Sequence, residues 1–311
     1  MKVCLSKLLA IVFEQIYKSQ TLRVRDSVMN YLEPDPIEIK KNYGAVFHRT
    51  VQFLKEHDDQ DLNMVYAFYS YTKKLASQKD KKQALKDLKT LEAELENPSN
   101  TFMVRFLETL KRLEMGTSCA KEIIEASKYE IQKKRPLNHN QLMVYCYKNN
   151  AAFIMMLATS LGAKDPRALA CAMDLGLSIN LTTICSRALK DLNEGRVLFP
   201  EDELVRNGVK DLKPGQTPNG LKRIVKKYLA LADTYYAHAY EGLRFLQPRA
   251  RIGVLVTMNQ YRELARKIER KNYEVLDSHI RLTSMEKTKV TLKSLIEFMR
   301  PSLHLKEAFV E

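Results

Sequence analysis

The stretch LKRIVKKYLALADTYYAHAYEGL, Leu221 to Leu243, places Val225, Tyr228, Leu229, Ala232, Tyr235, Tyr236, Ala239 and Leu243 at steps of three and four. At 3.6 residues per turn those positions return to one face, so the stretch is a long helix with a continuous apolar stripe. A stripe of that length must be covered by other elements of similar length. No comparable period-two run of β-branched residues appears anywhere in the chain. The expected fold class is therefore all-α.

The same periodicity and its punctuation outline helices at roughly 2–19, 40–56, 61–77, 80–96, 101–114, 118–134, 139–161, 166–193, 218–245, 248–271 and 284–299. ENPSNT (Glu96 to Thr101) separates two of them, with Ser99, Asn100 or Thr101 as the cap. GAKDPR (Gly162 to Arg167) and LKPGQTPNG (Leu212 to Gly220) make two further breaks. None of these is long or biased enough to be a domain linker, and no repeat of solenoid period is present. One helical domain over 1–311 is the simplest account, and a 45% hydrophobic, 28% charged composition is enough to build its core.

Several function classes are disfavoured. The five cysteines (Cys4, Cys119, Cys146, Cys171, Cys185) lack CxxC spacing, and the six histidines lack HxxxH or HExxH spacing, so no metal site is expected from them. There is no Gly-rich phosphate loop. The opening MKVCLSKLLAIVFEQ reads as an amphipathic helix rather than a signal peptide, because Glu14 ends its apolar run and no small-residue cleavage site follows. No apolar stretch is read as reaching the roughly 18 residues that span a bilayer. These features point to a cytoplasmic protein. The net charge of +14, from 51 Lys and Arg against 37 Asp and Glu, favours anionic partners. It is dispersed rather than gathered in a tail, which disfavours nucleic acid and leaves peripheral contact with an anionic membrane face.

Two stretches carry polar groups at the end of runs that otherwise look buried. In VYAFYSYTKKLAS, Val65 to Ser77, positions 73 and 77 share a face at i, i+4. In LGLSINLTTICSRALKDLNEGRVLFPEDEL, Leu175 to Leu204, Arg187 and Asp191 have the same spacing. Helices presenting such pairs can converge on one polar pole of a cavity.

These stretches, together with NQLMVYCYKNNAAFIMM and LADTYYAHAYEGLRFLQPRARIGVLVTMNQYRELARKIERKNYEVL, resemble the squalene and phytoene synthases in order and spacing. The resemblance runs from about Asn63 into the last helix, with residues 1–60 matched only weakly. It implies an isoprenoid-synthase-type helical bundle around a central cavity, and the head-to-head joining of two prenyl diphosphates. In that family each aspartate-rich helix offers D-x-x-x-D, whose carboxylates hold the Mg²⁺ ions that neutralise departing diphosphate. Here the first pair is Lys73 and Ser77, with Lys74 beside it, and in the second Arg187 stands before Asp191. Three of the four ligand carboxylates are thus absent, and a fixed cation repels a metal where a neutral residue would merely bind it less well. No cofactor is expected.

Other family positions differ too. Ser70 and Ser186 stand where arginines are usual, Ala151 and Ile154 where glycines are, and Asn180 and Thr183 for a glutamine and an asparagine. The resemblance places Lys73, Lys74, Arg187, Asp191 and Arg196 at the diphosphate pole, and Tyr66, Tyr69, Ser70, Ser77, Ala151, Ile154, Asn180 and Thr183 in the cavity lining. Two readings of the cations stand side by side: they bind a diphosphate directly, or they mark a disused metal site where Arg187 pairs with Asp191. The expected function is binding of an isoprenoid diphosphate or other lipid-like ligand, or assembly with a partner protein, without the usual condensation. The alternative is a prenyltransferase that uses Lys73, Lys74 and Arg187 in place of Mg²⁺.

Overall fold

The computed structural model describes residues 59–299, and the helices expected at 2–19 and 40–56 lie outside them, as does part of the expected 1–311 domain. Twelve α-helices follow in the described residues: α1 (Asp59–Ala76), α2 (Lys81–Ala93), α3 (Thr101–Arg112), α4 (Ser118–Ile131), α5 (His139–Cys146), α6 (Ala152–Ser160), α7 (Pro166–Ser186), α8 (Ala188–Asn193), α9 (Glu201–Arg206), α10 (Asn219–Glu241), α11 (Pro248–Arg270) and α12 (Ser284–Phe298). No strand forms among these residues, only an isolated bridge between Lys213 and Gln216. The fold is all-α.

Local chemistry sets most boundaries. Asp80 accepts the Lys82 and Gln83 amides at the start of α2, Asn100 accepts that of Met103 at the start of α3, and Asn138 that of Gln141 at the start of α5. Each satisfies amides that an α-helix leaves open at its first turn. The stripe on α10 is buried along its whole length except at half-buried Tyr235, and its most extensive partner is α7.

Three departures from the sequence reading bear on the site. The helix expected over 139–161 contains a π-helical segment, Tyr147–Ala151, between α5 and α6. The helix expected over 166–193 breaks at Arg187, after a last turn in which Thr182, Thr183 and Ser186 all donate their hydroxyls back to main-chain carbonyls. Such back-bonding competes with the helical ladder and bends it. The third concerns hydropathy: α7 is long and apolar enough by composition to cross a membrane, contrary to the expectation that no stretch was. Most of it is buried inside the protein, which marks it as a core helix.

The core divides into two apolar clusters. One is built on α1 to α4 and α6, with Phe68 stacked on Phe106, and the other on α5, α7, α10 and α11. α6 and α7 pack against each other at the seam.

Candidate functional site

A cavity of about 270 Å³ opens at that seam. Leu62, Tyr66 and Tyr69 from α1 and Phe153, Ile154 and Leu157 from α6 form one wall. Leu175 and Ile179 from α7, Ala239 from α10, Leu243, and Val254, Thr257 and Tyr261 from α11 form the other. Tyr69 stacks on Phe153 with ring centroids 3.9 Å apart and planes 12° from parallel, which fixes the phenol against the cavity.

One turn beyond Tyr69 lies Lys73, its ammonium 5.7 Å from the centre of the Tyr69 ring. It donates to Glu130 Oε1 of α4 at 3.1 Å and to Asn149 Oδ1 of the π segment. Tyr145 on α5 donates its hydroxyl to the same carboxylate oxygen at 2.9 Å. Burial alone pushes the Glu130 carboxyl up; the Lys73 charge, the two hydrogen bonds and the charge of Arg196 outweigh it, so the net shift is downward. Lys73 is thus held in a closed ionic cluster. Lys74, on the next position, is exposed.

The second polar group sits after the break at Arg187. α8 ends on Gly195, whose φ of +71° admits the left-handed turn, and the Gly195 and Arg196 amides bond back to Leu192 and Asp191 carbonyls at 2.9 and 2.7 Å. This pairing of bonds is the Schellman closure, and it folds Arg196 back over its own helix. The guanidinium then donates to Asp191 Oδ1 at 2.5 Å and Glu194 Oε2 at 2.7 Å. Arg187 reaches the same Asp191 oxygen at 3.8 Å and stays about half exposed. Burial raises the Asp191 carboxyl against the pull of both arginines.

The expected cavity residues divide. Tyr66, Tyr69 and Ile154 stand in the wall. Ser70, Ser77, Ala151, Asn180 and Thr183, expected beside them, do not. Ser77 is exposed and donates to Lys74 O in its own helix at 2.8 Å, and Ser70 is half-buried away from the wall. Ala151 is pressed against Gly176, so closely that a Cβ on Gly176 would lie 2.3 Å from the Ala151 Cα. Asn180 is buried and turned to Cys146 O at 3.4 Å, and Thr183 donates to Ile179 O at 2.7 Å. Glu130, Tyr145, Asn149 and Tyr261 were not singled out from the sequence. The contacts that define them cross tens of residues, and none carries a local motif.

The metal implied by the resemblance can be tested on donor chemistry. Mg²⁺ requires hard oxygen ligands in near-octahedral array. Of the four corresponding positions only Asp191 offers a carboxylate, and its Oδ1 is already met by two guanidiniums. Glu130, the other carboxylate at this pole, is met by an ammonium. No group of three or more His, Cys, Asp or Glu suited to a metal occurs among the described residues. The residues present do not fit the ion.

Comparison with known proteins gives a consistent result. The family model for squalene/phytoene synthase matches residues 40–286. A chloroplastic phytoene synthase from an Oncidium hybrid cultivar is 28% identical over 162 residues, covering 49% of this chain and 39% of that protein. The 15-cis-phytoene synthase of Pantoea ananas is 24% identical over 189 residues, covering 60% of this chain and 61% of its own length. The match thus spans less than two thirds of these relatives. Among solved structures, a dehydrosqualene synthase in complex with ligand superposes with a TM-score of 0.72 at 20% identity, covering 84% of this chain and 94% of that one. A squalene synthase from Alicyclobacillus acidocaldarius gives 0.69 at 16% identity, covering 76% and 93%.

Proposed function

Because the chain belongs to the squalene/phytoene synthase family, we propose that it binds an isoprenoid or similarly apolar lipid in the seam cavity and does not carry out the Mg²⁺-dependent joining of prenyl diphosphates. One contrast carries this reading: the apolar cavity is open, while Lys73 at the pole is locked to Glu130 and Asn149. An apolar pocket with few polar groups is the usual form of a small-molecule site. Its volume of about 270 Å³ lies near the bottom of the range for such sites, which suits one chain-like ligand rather than two side by side.

Electrostatics favour the same reading. Lys73 neutralises Glu130, and Arg196 is shared between Asp191 and Glu194. A condensation would need charge directed at a departing diphosphate, and these cations are directed at the protein's own carboxylates. Arg187, at 3.8 Å from Asp191, is the least committed of the three. It is the residue on which a metal-free transferase would have to rely, with Lys73 and Lys74.

The test is incubation with farnesyl diphosphate, with Mg²⁺ and with EDTA, followed by product analysis, beside a binding assay with prenyl-chain ligands. Ligand retention with the diphosphate unconsumed in both buffers is the expected result. A Mg²⁺-dependent joined product would overturn the proposal. Turnover in EDTA that is lost in Lys73→Ala plus Arg187→Ala would instead establish the transferase.

A further inference from the structure

The chemistry of the cavity wall narrows the ligand class, an inference that rests on the binding reading above. Among the described residues no charged side chain lines the cavity. Its polar groups are neutral. Tyr69 and Tyr261 face one another's neighbourhood from α1 and α11, and neither hydroxyl has a hydrogen-bond partner among the described residues. Both rings are enclosed by protein yet keep accessible surface, which the cavity itself supplies. Enclosure raises both phenols above their ordinary range, with Glu130 and the neighbouring tyrosines adding to the rise at Tyr69 and the charge of Arg187 opposing it at both. They are therefore protonated donors at physiological pH.

Asn150, also in the wall, donates its amide N–H to Gly176 O at 3.1 Å, and its carbonyl oxygen takes no donor. Beside the Tyr66 and Thr257 hydroxyls that also line the wall, Tyr69 and Tyr261 thus present two O–H donors and Asn150 one amide acceptor on a mostly apolar lining. That set complements a hydroxyl group, which donates once and accepts twice. It complements a diphosphate less well, because that acceptor's charge would enter a wall that itself contributes no cation. The nearest cations, Lys73 and Arg187, stand outside the wall: Lys73 is held by Glu130, and Arg187, whose charge reaches both phenols, lies 3.8 Å from Asp191.

We infer that the cavity is built for an uncharged isoprenoid with one hydroxyl group, a prenyl alcohol, whose oxygen lies at Tyr69 and Tyr261 and whose chain runs along the α6 and α7 wall. The test is equilibrium dialysis of the full chain in EDTA against radiolabelled farnesol, farnesyl diphosphate and the hydrocarbon farnesene. Farnesol is expected to bind most tightly. Tyr69→Phe and Tyr261→Phe, which keep ring and fold, each weaken farnesol about 2- to 10-fold, the worth of one neutral hydrogen bond, and leave farnesene unchanged. Circular dichroism of both variants confirms that they are folded. Tighter binding of farnesyl diphosphate overturns the inference and leaves the isoprenoid-binding reading intact. Equal binding of farnesol and farnesene, insensitive to both substitutions, overturns it in the same way. Retention of none of the three overturns the binding reading itself, and the inference with it.

Discussion

Lys73 and Glu130 show how a single position can stand out in the sequence while its meaning does not. A lysine at the end of an apolar helix is legible, but its partner lies 57 residues away on a helix whose charges look ordinary. Removing one member of such a pair leaves the other charge shielded and unpaired. Fully buried pairs lose about 3–5 kcal/mol in that way, and these two side chains keep about a fifth of their surface, so Lys73→Ala is expected to cost about 1–3 kcal/mol. Urea denaturation at pH 7 measures it. Adding Glu130→Gln to Lys73→Ala should recover much of the loss, because the stranded charge is gone. The sign with pH follows from the lowered Glu130 carboxyl. Its stabilisation is complete above the ordinary value of 4.5 and is lost as pH falls through the lower folded value, so the gap between wild type and Lys73→Ala closes in acid. A gap that widens in acid would refute the assignment.

At the scale of elements, the helices were legible because their signals are local: caps, periodicity and the Gly and Pro breaks. The π segment and the break at Arg187 were not, because each depends on what the helix packs against. Gly176 on α7 meets the Ala151 backbone so closely that a methyl group would lie 2.3 Å from the Ala151 Cα. Gly176→Ala must therefore push the π segment off α7, at about 1–3 kcal/mol. A lower urea midpoint with unchanged slope is the expected result, and an unchanged midpoint would show that the contact yields freely. α12 is held differently. Thr283 and Glu286 form a capping box, and Lys267 on α11 donates to both Glu286 oxygens at 2.9 and 2.7 Å. The Lys267 hydrogen bond, then that from the Thr283 amide, bring Glu286 down to about 2. Its contribution is present above the ordinary 4.5 and disappears as pH falls toward about 2. Glu286→Gln should lower Tm at pH 7 and match wild type near pH 2.

For the whole molecule, the cavity's position matters more than its size. Its two walls belong to different apolar clusters, so an occupant adds contacts between parts of the core that otherwise meet across the seam. That arrangement was not legible in the sequence, because the lining is drawn from segments between Leu62 and Tyr261 and has no contiguous motif. A ligand that binds only the folded state stabilises it by mass action, about 2.7 kcal/mol at a hundredfold excess over Kd. For a chain of this size each kcal/mol moves Tm by about 1.5 °C, so prenyl alcohol at that excess should raise Tm by about 4 °C. Where the added stability appears is the more searching measurement. Because both walls gain contacts, hydrogen exchange should slow together in α1 and α6 on one side and in α7, α10 and α11 on the other. Slowing confined to one cluster would place the ligand away from the seam. Slowing in both that is diminished by Tyr261→Phe would tie the molecule's cohesion to a single hydroxyl facing a cavity between its two halves.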